Sequence, residues 1–214
     1  MAVTSNVRRQ LNTTLHHELG HWLVARHFNF NVGQVSVRCD GRQLFGTSHI
    51  EPYSPVQLKS AESVYAHVFN RMVVLCAGVV ADIATRGPNA SQTVIDNAYT
   101  KGVMDATGLN DRGKVDELMY ILLSIKHEPS SDAVVINDRA QLVFGEAYGR
   151  ASELISGFFP KIEEMAKRLM KGQENSLILE FKYEELVRAE ERAIDALLKR
   201  NEPLPEVSTQ PSPA

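Results

Sequence analysis

The sequence predicts a mainly helical α+β domain with one small antiparallel sheet. Apolar residues recur at helical spacing over most of the chain, strict alternation is confined to residues 34–50, and an Asp-Gly pair lies at the centre of that alternating stretch. The 214 residues are 43% hydrophobic and 23% charged with a formal net charge of -3. That is the balance of a globular protein and not of a collagen-like, low-complexity or wholly disordered one. The length suffices to bury a core without disulfides.

Residues 1–11 read as an N-terminal arm, residues 12–200 as one domain and residues 201–214 as a tail. The first helix is expected over residues 12–29, NTTLHHELGHWLVARHFN, capped by Asn12 or Thr13, with Leu15, Leu19, Trp22 and Leu23 at helical spacing. Residues 34–50 follow as two short antiparallel strands joined at Asp40-Gly41. Ser54-Pro55-Val56-Gln57 has the form of a helix start, with Ser54 as cap, Pro55 in the first turn and Gln57 closing a capping box. The pattern then runs to about Thr85 and is almost wholly apolar over Met72–Ala81, the mark of a buried helix. A short helix is expected over residues 94–104. Another covers about 111–126, capped by Asn110 or Asp111, and helices continue to about Arg200 with pauses at Pro160 and at Lys171-Gly172. The tail carries four prolines and little to bury, so it is expected to be disordered.

The 23 basic and 26 acidic residues are interspersed, which argues against a nucleic-acid partner. The longest apolar run, Met72–Ala81, is closed by Asp82 and falls short of the about 20 residues that cross a bilayer, so no membrane span is expected. No apolar h-region follows the first arginines, and a cytoplasmic location is expected. Cys39 and Cys76 each stand alone in an apolar neighbourhood and read as buried free thiols, not as metal ligands or a disulfide.

His17-Glu18-Leu19-Gly20-His21 is an HExxH sequence inside the first helix. Four residues turn a helix by about 40° beyond one full turn, so both imidazoles project from one face and can share a tetrahedral Zn²⁺. Glu18, next to the first ligand, is placed to act as general base on a water attacking a carbonyl, and then to pass the proton to the leaving amine. The expected chemistry is amide hydrolysis. Left unligated, two imidazoles and a carboxylate on a helix that also buries Leu19 and Leu23 would be costly to desolvate.

A third ligand is required. His27 has the metzincin spacing from His17, but Val24 stands where that scheme needs a glycine to turn the chain. His27 therefore reads as a surface or half-buried histidine. Glu62 is the candidate for a thermolysin-like scheme. His16, about 100° round the helix from His17, is expected to face solvent. His49 follows the strand pair expected to border the cleft, and reads as an ordinary surface histidine, with contact to substrate as the alternative role.

HELGHWLVA, residues 17–25, is very similar to the HEAGHALVA signature of the peptidase domain of FtsH-type membrane proteases. VSVRCDGRQLFGTS resembles that family's VTIxPRGxxLGxT strand pair, and VVLCAGVVADIATRG its VLLGGRAAEELVFG helix. ATGLND at 106–111 resembles the loop TGASND, whose aspartate is the family's third zinc ligand, and EAYGRASELI resembles its D/E-A-Y-x-x-A helix. The matches run in order from about residue 13 to 172. The resemblance implies a zincin-like helical peptidase domain with the small antiparallel sheet beside the HExxH helix. It also implies zinc as cofactor, with His17, His21 and Asp111 as ligands and Glu18 as base. Ala77, Val79 and Asp82 depart from the family's glycine, arginine and glutamate. The family's interval of about 20 residues from its paired glycines to the ligand aspartate falls on Asp96, whereas the local sequence, a turn opening an amphipathic helix, points to Asp111. Asp105 is the next candidate, and an ordinary helix cap is the other role open to Asp111.

These 214 residues contain no GxxxxGK[ST] phosphate loop, so the expected activity is ATP-independent cleavage of peptides, unfolded chains or exposed loops. A regulatory peptidase cutting one cytosolic partner, such as a repressor, is a narrower form of the same chemistry. A homo-oligomer is compatible with the composition. The alternative from another class is a catalytically silent binding module that keeps the fold, against which the intact His17, Glu18 and His21 argue.

Overall fold

The computed structural model describes residues 4–41, 43–53, 57–85 and 109–200. Within them the fold is mainly helical α+β, with five helices and a three-stranded antiparallel sheet of order β2-β1-β3. The expected helix at 94–104, the Ser54 cap and the tail lie outside the described residues.

Helix α1 spans Ser5–His27, so residues 5–11, expected as an arm, form its first turns. The cap is Thr4, whose hydroxyl accepts from Val7 N at 3.3 Å, in place of Asn12 or Thr13. Leu11 is buried in the core together with Leu15, Leu19 and Trp22, which extends the apolar stripe one turn before the predicted start. The helix closes at Phe28, and Asn29 turns the chain with a φ of 58°.

Strands β1 (Asn31–Asp40) and β2 (Gln43–Glu51) pair antiparallel as expected, but Asp40 is still in the ladder, opposite Gln43, so the turn begins at Gly41 and not at Asp40. Gly41 takes a φ of 62°, the left-handed conformation such tight turns demand. The register shifts between Val32 and Val35, and there the Gly33 carbonyl accepts from Trp22 Nε1 at 3.0 Å, fastening the hairpin to α1.

Helix α2 (Ala61–Ala84) starts six residues later than the Ser54 cap implies. Ser60 and Ser63 exchange side-chain-to-backbone bonds of 3.2 and 3.0 Å, a reciprocal box that ends the preceding loop. By length and composition α2 could cross a membrane, but 56% of its most apolar window is buried inside the fold, and a central core helix has the same composition. Gly20 of α1 lies against Ala77 and Ala81 of α2, where an added Cβ would sit 2.7 Å from Ala81 Cβ and 2.8 Å from the Ala77 carbonyl oxygen.

Helix α3 covers Leu109–Lys126, and α4 runs unbroken from Ala133 to Leu169. The expected pause at Pro160 is absent. Proline removes one amide donor, but Pro160 and Ser156, four residues before it, are both exposed, so water can satisfy the freed carbonyl. The break at Lys171-Gly172 is present, with Gly172 at a φ of 84°. It leads into strand β3 (Ile178–Phe181), where the sequence predicts helix, and then into helix α5 (Tyr183–Lys199). β3 pairs antiparallel with β1, Val35 opposite Phe181, and inserts Leu179 and Phe181 into the core. Glu190 of α5 bonds Lys161 of α4 at 3.2 Å and lies 3.5 Å from Arg26 of α1, clamping three helices together.

The α1–α2 contact gives a test. Gly20→Ala gains helix propensity of about 1 kcal/mol but drives a methyl into backbone that cannot yield, at about 1–3 kcal/mol, so the melting temperature is expected to fall. Gly145→Ala, on an exposed turn of α4 with no atom within 4 Å of the new Cβ, is expected to raise it. Thermal unfolding of both variants checks the pair.

Candidate metal centre

His17 and His21 leave the same face of α1 because they are four residues apart. Both are buried, their rings nearly perpendicular at 84° with centroids 4.6 Å apart. The Nδ1 of His21 donates to the Val74 carbonyl of α2 at 2.7 Å. In the neutral ring that bond leaves a lone pair on Nε2. This lone pair faces His17 Nε2 at 3.0 Å and Asp111 Oδ2 at 3.2 Å, and His17 Nε2 is 3.3 Å from the same oxygen.

Three electron-rich atoms thus converge on one buried point, which is repulsive until a proton or a metal ion occupies it. The spacing favours a metal. Ligand bonds of 2.0–2.1 Å in a tetrahedron separate the ligand atoms by about 3.3 Å, close to the 3.0–3.3 Å observed. Room is left beneath by Gly78 of α2, where any Cβ would collide with Nε2 of both histidines. Among the described residues, His17, His21 and Asp111 form the group that could hold a metal ion. His17 Nδ1 is buried and has no hydrogen-bond partner among them, so packing orients that ring.

Asp111 lies in the first turn of α3, two residues beyond its start, and its oxygens face the two imidazoles and Lys114, whose Nζ is 3.7 Å from Oδ1. Burial pushes the Asp111 carboxyl up, but the hydrogen bonds and charges of His17 and His21 outweigh it and hold the group well below the usual carboxylate range. For His21, burial lowers the value, and the bond to Asp111 with the charges of Asp111 and Glu18 raises it to about 9.

Glu18 faces the sheet. Its Oε2 accepts from the Ser48 hydroxyl of β2 at 2.6 Å. Gly46, one alternation step earlier, permits the approach, because a Cβ there would overlap Glu18 Oε1. A cleft of about 680 Å³ opens between α1, β2 and α2, lined by Glu18, both histidines, Asp111, residues 44–48 and Arg71. Ser48, Gly46, Gly78 and the Val74 carbonyl were not singled out as site groups from sequence. Alternation in β2 is the signal that would have put Gly46 and Ser48 on one face.

The other candidates lie elsewhere. His16 is buried, contrary to the expected solvent-facing position, because α4 covers that side of α1. Its Nδ1 donates to the Asn12 carbonyl at 2.7 Å, and its ring lies 6.2 Å from that of Phe159. His27 is half-buried beside Phe158. His49 lies within β2, not after it, exposed and 3.3 Å from Glu51. Glu62 is exposed in the first turn of α2. Cys39, expected to be buried, is only half-buried near the end of β1, whereas Cys76 is buried as expected, with its thiol pushed up to about 12 by burial and by the Asp111 charge. Asp96 and Asp105 lie outside the described residues.

No protein-family model matches the chain, and no curated protein matches it.

The shifted groups set a pH dependence. His21 is raised from 6.5 to about 9, so its contact stabilises the metal-free protein fully below pH 6.5 and is lost as pH rises through 9. Asp111 is depressed from 3.8, so its contribution is present above that value and is lost as pH falls below it. Both shifts report one contact and are not additive. The melting temperature of chelator-treated protein is expected to fall between pH 6.5 and 9, and a divalent metal, replacing the proton, is expected to remove most of that fall. Thermal scans with and without metal across this range check it.

Proposed function

We propose that the chain is a zinc-dependent metalloendopeptidase with a zincin-like helical fold of the FtsH type, acting on peptides and on unfolded or exposed protein segments without ATP. The observation that supports it most is the convergence of two Nε2 lone pairs and one carboxylate oxygen at ligand spacing, with a second carboxylate, Glu18, beside them in the same cleft. His17, His21 and Asp111 are the residues that would hold the zinc. Zinc in such a setting acts as a Lewis acid that lowers the pKa of water toward about 7 and polarises a carbonyl.

The chain's own groups do the rest. Ser48 holds Glu18 in place through Oε2, and the Glu18 carboxylate takes a proton from the attacking water and returns it to the leaving amine. The sheet order leaves one edge of β2 unpaired among the described residues, and residues 44–48 of that strand line the cleft. An extended peptide can add to this edge through main-chain hydrogen bonds, which read backbone and not sequence. Only an unfolded or looped segment offers such a backbone, which supports the substrate class. The HELGHWLVA and ATGLND resemblances support zinc over other divalent ions.

About one zinc per chain is expected by elemental analysis, and chelation followed by zinc addition is expected to abolish and restore cleavage of casein. Glu18→Gln should retain the metal and lose at least about 100-fold in rate. A Glu18→Gln variant as active as the parent rejects the mechanism. Asp111→Asn should lower zinc affinity by at least the roughly 10–100-fold that loss of an outer-shell partner costs, while Asp96→Asn keeps its metal. Zinc content of the two variants decides between the carboxylates.

A further inference from the structure

The face of α2 that forms the cleft floor carries a cation at one end. Arg71, Val74, Leu75 and Asp82 all line the cleft, and Gly78, between the last two, lies beneath the imidazoles. Their spacing of three, four, seven and eleven residues from Arg71 places them on one helical face. Arg71 is half-buried, and no ion pair or hydrogen bond engages its guanidinium among the described residues. The nearby carboxylates have other partners. Glu18 accepts from Ser48, and Asp111 faces His17, His21 and Lys114. Asp82 is about 16 Å further along the helix axis.

An arginine cannot escape partial burial by losing its proton, and its planar fork matches a carboxylate with two parallel hydrogen bonds. A guanidinium left in a substrate cleft without an anion therefore gains from a ligand that brings one. At 1.5 Å per residue, Arg71 lies about 10 Å along α2 from Gly78, and an extended peptide covers that distance in about three residues. We propose that Arg71 is a specificity residue selecting peptides with a carboxylate about three residues to one side of the scissile bond. The carboxylate comes from an Asp or Glu side chain or from the peptide's own C-terminus. This rests on the peptidase reading of the same cleft.

The test uses fluorescent decapeptides of three kinds: amidated with one acidic residue scanned along the sequence, neutral with a free C-terminus, and neutral with an amidated C-terminus. Binding to zinc-loaded Glu18→Gln protein is read by anisotropy, and cleavage by the wild type is mapped by mass spectrometry. A peptide with a correctly placed carboxylate is expected to bind about tenfold tighter than the neutral amide at low salt. Arg71→Gln, added to the Glu18→Gln background, should bring that ratio close to one, and Arg71→Lys should keep part of it. Circular dichroism verifies that each variant folds. The first two peptide sets separate side-chain from terminal recognition. A ratio near one before Arg71 is changed, or one that Arg71→Gln leaves intact, overturns the proposal. Cleavage of neutral peptides without acidic preference overturns it and leaves the peptidase reading standing. Arg71-dependent acidic binding without any cleavage overturns the peptidase reading alone, and absence of both binding and cleavage overturns both.

Discussion

Helices α1 and α2 lie against each other only because Gly20, Ala77, Gly78 and Ala81 put almost no side chain between them. The buried chemistry follows from that contact. The Val74 carbonyl comes within hydrogen-bonding distance of His21 Nδ1 and thereby decides which nitrogen faces inward. Gly78 leaves open the space toward which both Nε2 atoms point. A larger residue at either glycine would separate the helices or fill the point on which the donors converge. Close packing of small residues here serves to position polar atoms, with apolar side chains behind them and the cleft in front.

The same contact explains why a helix as apolar as α2 belongs in the centre of this fold. It is flanked by α1, α3 and α4, so its apolar half, from Met72 to Ile83, is enclosed by other elements. Two of these neighbours bring parts of the site to it, α1 the histidines and Glu18 and α3 the Asp111 carboxylate, while α4 packs behind. The sheet adds the other wall, tied to α1 at two points, Ser48 to Glu18 and the Gly33 carbonyl to Trp22. One link meets α1 between the two histidines and the other directly after His21. They fix the cleft's width with hydrogen bonds to groups that the core buries anyway.

Much of the site was legible in the sequence because its chemistry is local. His17, Glu18 and His21 occupy one helical turn and a half, and Gly41 of the Asp-Gly pair turns the hairpin from within. Asp111 was legible through a short resembling segment, not through spacing. Features decided by distant partners were not legible. Thr4 caps α1 because Leu11 finds a buried place, which no local signal announces. β3 is four residues long and owes its strand conformation to β1, so helical periodicity on either side concealed it. His16 is covered by α4, and Pro160 is tolerated because that turn of α4 faces solvent. Tertiary context overruled local preference in each case.

The pairing of β3 with β1 joins opposite ends of the described chain. During synthesis the hairpin of β1 and β2 can form early, since its partners are neighbours, but the other edge of β1 stays open until almost all of the domain has emerged. Non-local pairing of this kind slows folding, and an unpaired edge is meanwhile a template for association with other chains. Val35 and Val37, fully buried once β3 and α1 have closed over them, are exposed during that interval. The last strand to arrive therefore acts as a seal, and the nascent domain is most prone to aggregation just before residues 178–181 are added.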